Sequence, residues 1–250
     1  TSLAVTLSYL GWTSAQLTAL GIVFNSLSQG AISLDQGILI GAVIVLIYTT
    51  FGGMWSVALT DLFQSVVIVL GLLYVAFLVS GMAGGVGKVV AHASEAGKFQ
   101  FWPTGGSKEW WLFAGAWITM AIGSIPQQDV FQRVTSAKNE NTAVKGSLLG
   151  ALAYFCFAFV PIFLAYAALL VDPKMVEPLL QSEGREVQLI LPNLVLNHMP
   201  MFAQVMFFGA LLSAILSTAS GALLAPTALF TENVLKPLFG DMSDKRFLVL

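Results

Sequence analysis

Met206–Val234 reads MFFGALLSAILSTASGALLAPTALFTENV. The stretch is long enough to cross a bilayer, which takes roughly 20 apolar residues in a helix. It is not uniformly greasy. Gly209, Ser213, Ser217, Gly221 and Ala225 recur at every fourth position, and Ala210, Ala214, Thr218 and Ala222 form a second row beside them. Residues four apart share a helix face, so one broad face is built of small side chains. Such faces let helices approach closely in lipid. Ser213, Ser217 and Thr218 add hydroxyls on or beside that face. Oxygen donors suit hard cations. The i, i+3, i+4 spacing of Ala214, Ser217 and Thr218 can aim one backbone carbonyl and two hydroxyls at one small ion. The same residues also suit plain packing, because Ser and Thr hydroxyls bond back to the carbonyl one turn earlier.

Composition sets the class. The chain is 57% hydrophobic and 10% charged, whereas soluble domains carry about 25% charged residues. The apolar runs are continuous, without the strand-type alternation of a barrel. An all-α, multi-spanning protein in the lipid bilayer is implied. The net charge of −2 comes with no basic cluster, so nucleic acid is not a partner. The single cysteine, Cys156, permits no internal disulfide, and His92 and His198 have no cysteine partner for a metal site. The chain starts at Thr1 and stops inside an apolar run, Phe247–Leu250, and so reads as a piece of a longer protein.

Six spans follow in order. Ser2–Phe24 carries Ser8, Thr13, Ser14, Gln16 and Thr18 among apolar residues. Gly37–Thr50 is the second. The paired Gly52 and Gly53 are expected to break the helix, with Thr60 and Asp61 capping the next one, Leu62–Gly81. Asp61 is thus either an N-cap or an acid on an ion path. Residues 82–111 form an outer loop with a short surface helix over 86–97 and an interfacial belt of Trp102, Trp110 and Trp111. The fourth span, about 112–130, holds Gly123, Ser124 and Pro126 in its second half. Proline removes a donor and clashes with the preceding turn, so this helix should kink or unwind. Irregular backbone at membrane depth belongs where protein or a water-filled cavity satisfies it. Arg133, Lys138 and Lys145 then face one acid, Glu140, in a short loop of cytoplasmic character. Residues 146–171 form the fifth span, with Pro161 as a kink. A second outer loop, 172–200, leads into the sixth span at 206–234.

Three motifs in register carry a resemblance. Tyr48-Thr-Thr-Phe-Gly-Gly-Met-Trp-Ser-Val-Ala-Leu-Thr-Asp61 with Gln64, Gly123-Ser-Ile-Pro-Gln-Gln-Asp-Val-Phe-Gln-Arg-Val-Thr-Ser-Ala-Lys138, and Ala214-Ile-Leu-Ser-Thr218 resemble segments of the sodium:solute symporter family. Its members carry proline, pantothenate, choline, sugars or iodide. The resemblance implies a LeuT-type inverted-repeat fold. Residues 1–250 would form one transmembrane domain fragment, from the third core helix to the start of the ninth. It further implies a Na⁺ site at Ala214, Ser217 and Thr218, completed by the missing helices of the same polypeptide, and a sodium path through Asp61. Trp117, Ser124 and Gln127 would line the site of a small organic solute. Sodium-coupled symport by alternating access in the plasma (inner) membrane is the expected function. A sodium-independent or solute-sensing relative of the same fold is the alternative. An enzyme is not expected: there is no nucleophile–base pair, and Asp61 and Asp129, the acids near span ends, lie in different segments.

Overall fold

The computed structural model describes residues 2–123, 125, 127–182 and 185–239, with backbone alone at 48, 51–54, 56 and 185. Thr1, Ser124, Pro126 and Phe247–Leu250, named from the sequence, lie outside the described residues. The chain folds into helices α1 (Ser2–Leu27), α2 (Leu34–Met82), α3 (Val86–Glu95), α4 (Ser107–Gly123), α5 (Gln128–Thr135), α6 (Glu140–Phe157), α7 (Phe159–Val171), α8 (Pro173–Gln181), α9 (Ile190–His198), α10 (Met201–Phe230) and α11 (Lys236–Phe239). A 3-10 turn, Arg185–Leu189, precedes α9, and a π turn, Thr231–Leu235, follows α10. Among the described residues, three stretches are long and apolar enough to cross a membrane: Val57–Met82, Glu140–Val171 and Met201–Phe239. Leu34–Ile47 is a shorter apolar helix.

The helix break expected at Gly52 and Gly53 is absent. The backbone runs through both as part of α2, 49 residues long. A mid-helix glycine costs about 1 kcal/mol relative to alanine, and the flanking apolar turns offset that. Asp61 therefore has no helix N-terminus to cap, and the capping role is ruled out. α4 ends at Gly123 and α5 begins at Gln128, so the fourth span is two helices. Ala158 separates α6 from α7 three residues before Pro161, which cannot donate to the carbonyl of Phe157.

The contacts divide the chain into two compact units: Thr1–Ser65, Gln127–Ser136 and Leu212–Leu250; and Val66–Pro126 and Ala137–Leu211. In the first unit, α1 and the start of α2 form a tight helical hairpin. The turn between them passes through Gln29 and Gly30, both at positive φ. A Cβ on Gly37 would stand 2.9 Å from the carbonyl oxygen of Gly21, so only glycine permits this approach. Leu20 and Val45 are fully buried. Of the two small-residue rows of α10, Ala210, Gly221, Ala222 and Ala225 are buried and Gly209, Ser213, Ala214, Ser217 and Thr218 half-buried; Ala219 and Ser220, outside both rows, are fully buried. Pro226 lies inside α10 and cannot donate to Ala222. The freed Ala222 carbonyl instead accepts the hydroxyl of buried Thr13 from α1, at 3.4 Å.

In the second unit, α10 packs on the second half of α2 through Gly71, where a Cβ would fall 2.7 Å from the carbonyl of Met206. The surface helix is present as α3, with Val89 and Ala93 buried. Three tryptophans gather: Trp102 stacks on Trp110 with ring centres 6.0 Å apart, and Phe101 and Phe113 bridge toward Trp117, while Trp111 is exposed. α7 leads into α8, which Asp172 caps by accepting the Met175 amide at 3.1 Å.

Candidate cation site

Four segments of the first unit meet around one carboxylate. Asp61 comes from α2, Ser217 from α10, Arg133 and Asp129 from α5, and Tyr9 from α1. The Ser217 hydroxyl donates to Asp61 Oδ1 at 2.6 Å. The Arg133 guanidinium donates through Nη2 to Asp61 Oδ2 at 2.8 Å. Both carboxylate oxygens are thus engaged, one by a neutral donor and one by a charged donor of the stronger kind. The Asp61 side chain is 20% exposed and that of Arg133 42%. The guanidinium reaches in because residue 221 is glycine: a Cβ there would stand 3.2 Å from Nη2 and 3.3 Å from Nη1. A cavity of about 20 Å³ lies between Val57, Ala58, Asp129, Arg133 and Gly221, room for roughly one water.

Asp129 extends the network. Its Oδ1 accepts the Tyr9 hydroxyl at 2.7 Å, and its backbone N–H donates to the same phenolic oxygen at 3.2 Å. Its Oδ2 lies 4.0 Å from Arg133 Nη1, which donates instead to the Asp129 carbonyl at 3.4 Å. Two acids, read from the sequence as belonging to separate segments, therefore share one guanidinium. The cluster carries two formal negative charges and one positive, so it remains attractive to a cation.

The oxygens named from sequence sit on one turn of α10. Thr218 donates its hydroxyl to the Ala214 carbonyl at 2.9 Å, the local back-bond that such residues favour. That bond also places two of the three named oxygens side by side; the Thr218 hydroxyl keeps lone pairs to spare, while the Ala214 carbonyl accepts both this hydroxyl and its helical amide. Ser217, the third, faces Asp61. Its own carbonyl accepts the hydroxyl of fully buried Ser220 at 2.9 Å. Ser217 and Asp61 are thus brought together, and Ala214 and Thr218 are paired with each other.

The described residues named for the solute belong to different units. Trp117, 53% exposed, belongs to the aromatic group of the second unit. Gln127 precedes α5 in the first unit, where its carbonyl accepts the Phe131 amide at 2.9 Å and its side chain makes no capping bond. Ser124 lies outside the described residues. Sequence reasoning missed Arg133, Asp129 and Tyr9 as members of the site. The i, i+4 spacing of Asp129 and Arg133 was a usable signal, since such pairs face each other on a helix. Nothing in the sequence marks Tyr9.

Known proteins resemble this chain along nearly its whole length. The family model described as "Sodium:solute symporter family" matches residues 1–249. The high affinity choline transporter 1 of Homo sapiens is 28% identical over 95% of this chain and 41% of its own length. The sodium/pantothenate symporter of Haemophilus influenzae is 24% identical over 92% of this chain and 44% of its own. The chain thus spans about two fifths of the length of these relatives. A solved structure of a Na⁺-coupled sialic acid symporter, in a substrate-bound outward-open state, superposes with a TM-score of 0.81 at 20% identity, over 99% of this chain and 53% of that one. At that identity the likeness carries the fold, an all-α LeuT-type transporter architecture of which this chain holds part. The relatives are transporters rather than enzymes. Motifs, helix order and the match over residues 1–249 agree, and the chain belongs to the sodium:solute symporter family.

Proposed function

We propose that the complete protein carrying this chain is a sodium-coupled symporter of a small organic solute, working by alternating access. The observation that carries this reading is the 2.6 Å contact between Ser217 and Asp61. It ties a turn of oxygen donors, Ala214, Ser217 and Thr218, to an acid that can hand a cation onward. Na⁺ bound at that turn favours one state of the transporter, and solute is drawn to the same state. This is coupling by differential affinity. Release follows along Asp61. The membrane potential contributes about 2.3 kcal/mol per charge per 100 mV. Trp117, Ser124 and Gln127 line the solute site, and the protein resides in the plasma (inner) membrane.

The solute class follows the relatives, whose names include choline, pantothenate and monocarboxylate. The test is uptake by the complete protein in proteoliposomes, over choline, pantothenate, proline and short monocarboxylates. Each is measured with Na⁺ outside and with N-methylglucamine in its place. Accumulation that needs the sodium gradient supports the reading, and accumulation indifferent to it sinks it. One observation favours the sodium-independent reading: Arg133 already supplies Asp61 with a positive partner at 2.8 Å. The same uptake experiment separates the two.

A further inference from the structure

We propose that Tyr9 is a positioning residue that decides which of two carboxylates, Asp61 or Asp129, holds the Arg133 guanidinium. The local partner of Arg133 is Asp129. The two are i, i+4 on α5, with the acid on the N-terminal side, the favoured arrangement for a helical ion pair. Yet Arg133 closes on Asp61, 72 positions away, at 2.8 Å and leaves the Asp129 carboxylate at 4.0 Å. What removes Asp129 from the competition is the phenol of Tyr9. It donates to Oδ1 at 2.7 Å and accepts the Asp129 amide at 3.2 Å, so it fixes both the carboxylate and the first turn of α5. With Oδ1 satisfied, the guanidinium keeps only the Asp129 carbonyl on Nη1 and turns its other arm to Asp61.

Arg133 is then a tethered cation with two berths. On Asp61 it screens the acid proposed above as the ion path. On Asp129 it leaves that acid free for Na⁺. Tyr9 biases it to the first berth. This consequence rests on the sodium reading of Asp61; the choice of berth does not, and the two are measured separately.

The complete protein is purified in Na⁺-free buffer as wild type, Tyr9→Phe, Asp129→Asn and the double variant. Carboxylates are labelled with a water-soluble carbodiimide and glycinamide, and labelling is read residue by residue by mass spectrometry. In Tyr9→Phe, labelling of Asp61 should rise and that of Asp129 fall. In Asp129→Asn and in the double variant, Asp61 should be as protected as in wild type or more so, because Tyr9 acts only through Asp129. Unchanged labelling in Tyr9→Phe, or a double variant that behaves like Tyr9→Phe, overturns the proposal. The sodium concentration for half-maximal uptake is measured in parallel. It should fall on the order of fivefold in Tyr9→Phe, the lower end of ordinary coupling between sites, and rise in Asp129→Asn. A labelling swap without any sodium response upholds the role of Tyr9 and rejects Asp61 as an ion path. If Tyr9→Phe does not fold, Asp129→Asn decides: increased Asp61 labelling in that variant contradicts the two-berth arrangement.

Discussion

Ser217 and Asp61 stand 156 positions apart in the chain and 2.6 Å apart in space. The hydroxyl belongs to the small-residue face of α10, and the carboxylate to the middle of α2. Their contact joins what the sequence offers as two separate features, an oxygen-rich turn and an isolated acid. Asp61→Asn keeps the shape and removes the charge, leaving Arg133 only the Asp129 carboxylate, 4.0 Å away, as an ion-pair partner. We expect sodium-driven uptake to fall at least tenfold, with surface expression within twofold of wild type. Loss of expression in proportion to uptake would instead assign Asp61 a purely structural role.

Thr218→Ala removes one hydroxyl from that turn and leaves the Ala214 carbonyl with its helical partner. The lost back-bond is local, so thermal stability should change little, by less than about 1 kcal/mol. The sodium concentration for half-maximal uptake should rise severalfold, with maximal uptake nearly unchanged at saturating sodium. An unaltered sodium titration would remove Thr218 from the ion site.

Thr13 and Pro226 form a compensating pair. The proline denies Ala222 its helical donor, and the threonine hydroxyl covers the freed, buried carbonyl. Thr13→Val should destabilise the protein by about 1 kcal/mol, the cost of leaving a buried acceptor unsatisfied. Pro226→Ala restores a backbone donor, so in its presence Thr13→Val should cost much less. A double-mutant cycle on detergent-purified protein measures this coupling. Strict additivity would show that the long, 3.4 Å contact contributes nothing.

A pH-dependent contact lies outside the spans. Asp172 caps α8 and accepts His198 Nε2 at 2.9 Å, joining the two ends of the excursion between α7 and α10. The imidazole of His198, helped by the Met175 amide, holds the Asp172 carboxyl below its ordinary range. A carboxylate with a lowered folded-state pKa stabilises above its unfolded value, near pH 3.9, and loses that contribution as pH falls through the folded value. Amide exchange in the first turn of α8, Met175 above all, should therefore stay slow at pH 5 and quicken below about pH 4. In Asp172→Asn the exchange should be faster throughout and lose this acid step. An identical acid step in the variant would place the titrating group elsewhere.

Much of the molecule is legible in its residues. The 57% hydrophobic composition and continuous apolar runs state that helices cross a membrane. The four-residue recurrence of Gly209 to Ala225 marks a packing face of α10 that is buried at its C-terminal end, at Gly221 and Ala225, and half-buried at Gly209, Ser213 and Ser217. Pro161 marks where the fifth span divides. These are local properties: helical period and the missing proline donor act within a turn or two, so the order of residues contains them. The misreading at Gly52 and Gly53 is also local in origin. A glycine pair lowers helix propensity by about 2 kcal/mol, yet α2 runs on through both, with Val45 and Val57 buried on either side.

The partners of the charged groups are another matter. Asp61 is a fair helix cap by its own chemistry, and Arg133 a fair partner for Asp129. Only the folded chain brings α1, α2, α5 and α10 together, so that Tyr9 engages Asp129, Arg133 turns to Asp61 and Ser217 completes the carboxylate. Sequence determined a helical membrane protein of the sodium:solute symporter family with an oxygen-bearing turn. Tertiary structure decided which acid that turn meets and which cation answers it, because electrostatic pairing depends on distance in space and helix periodicity only on distance along the chain.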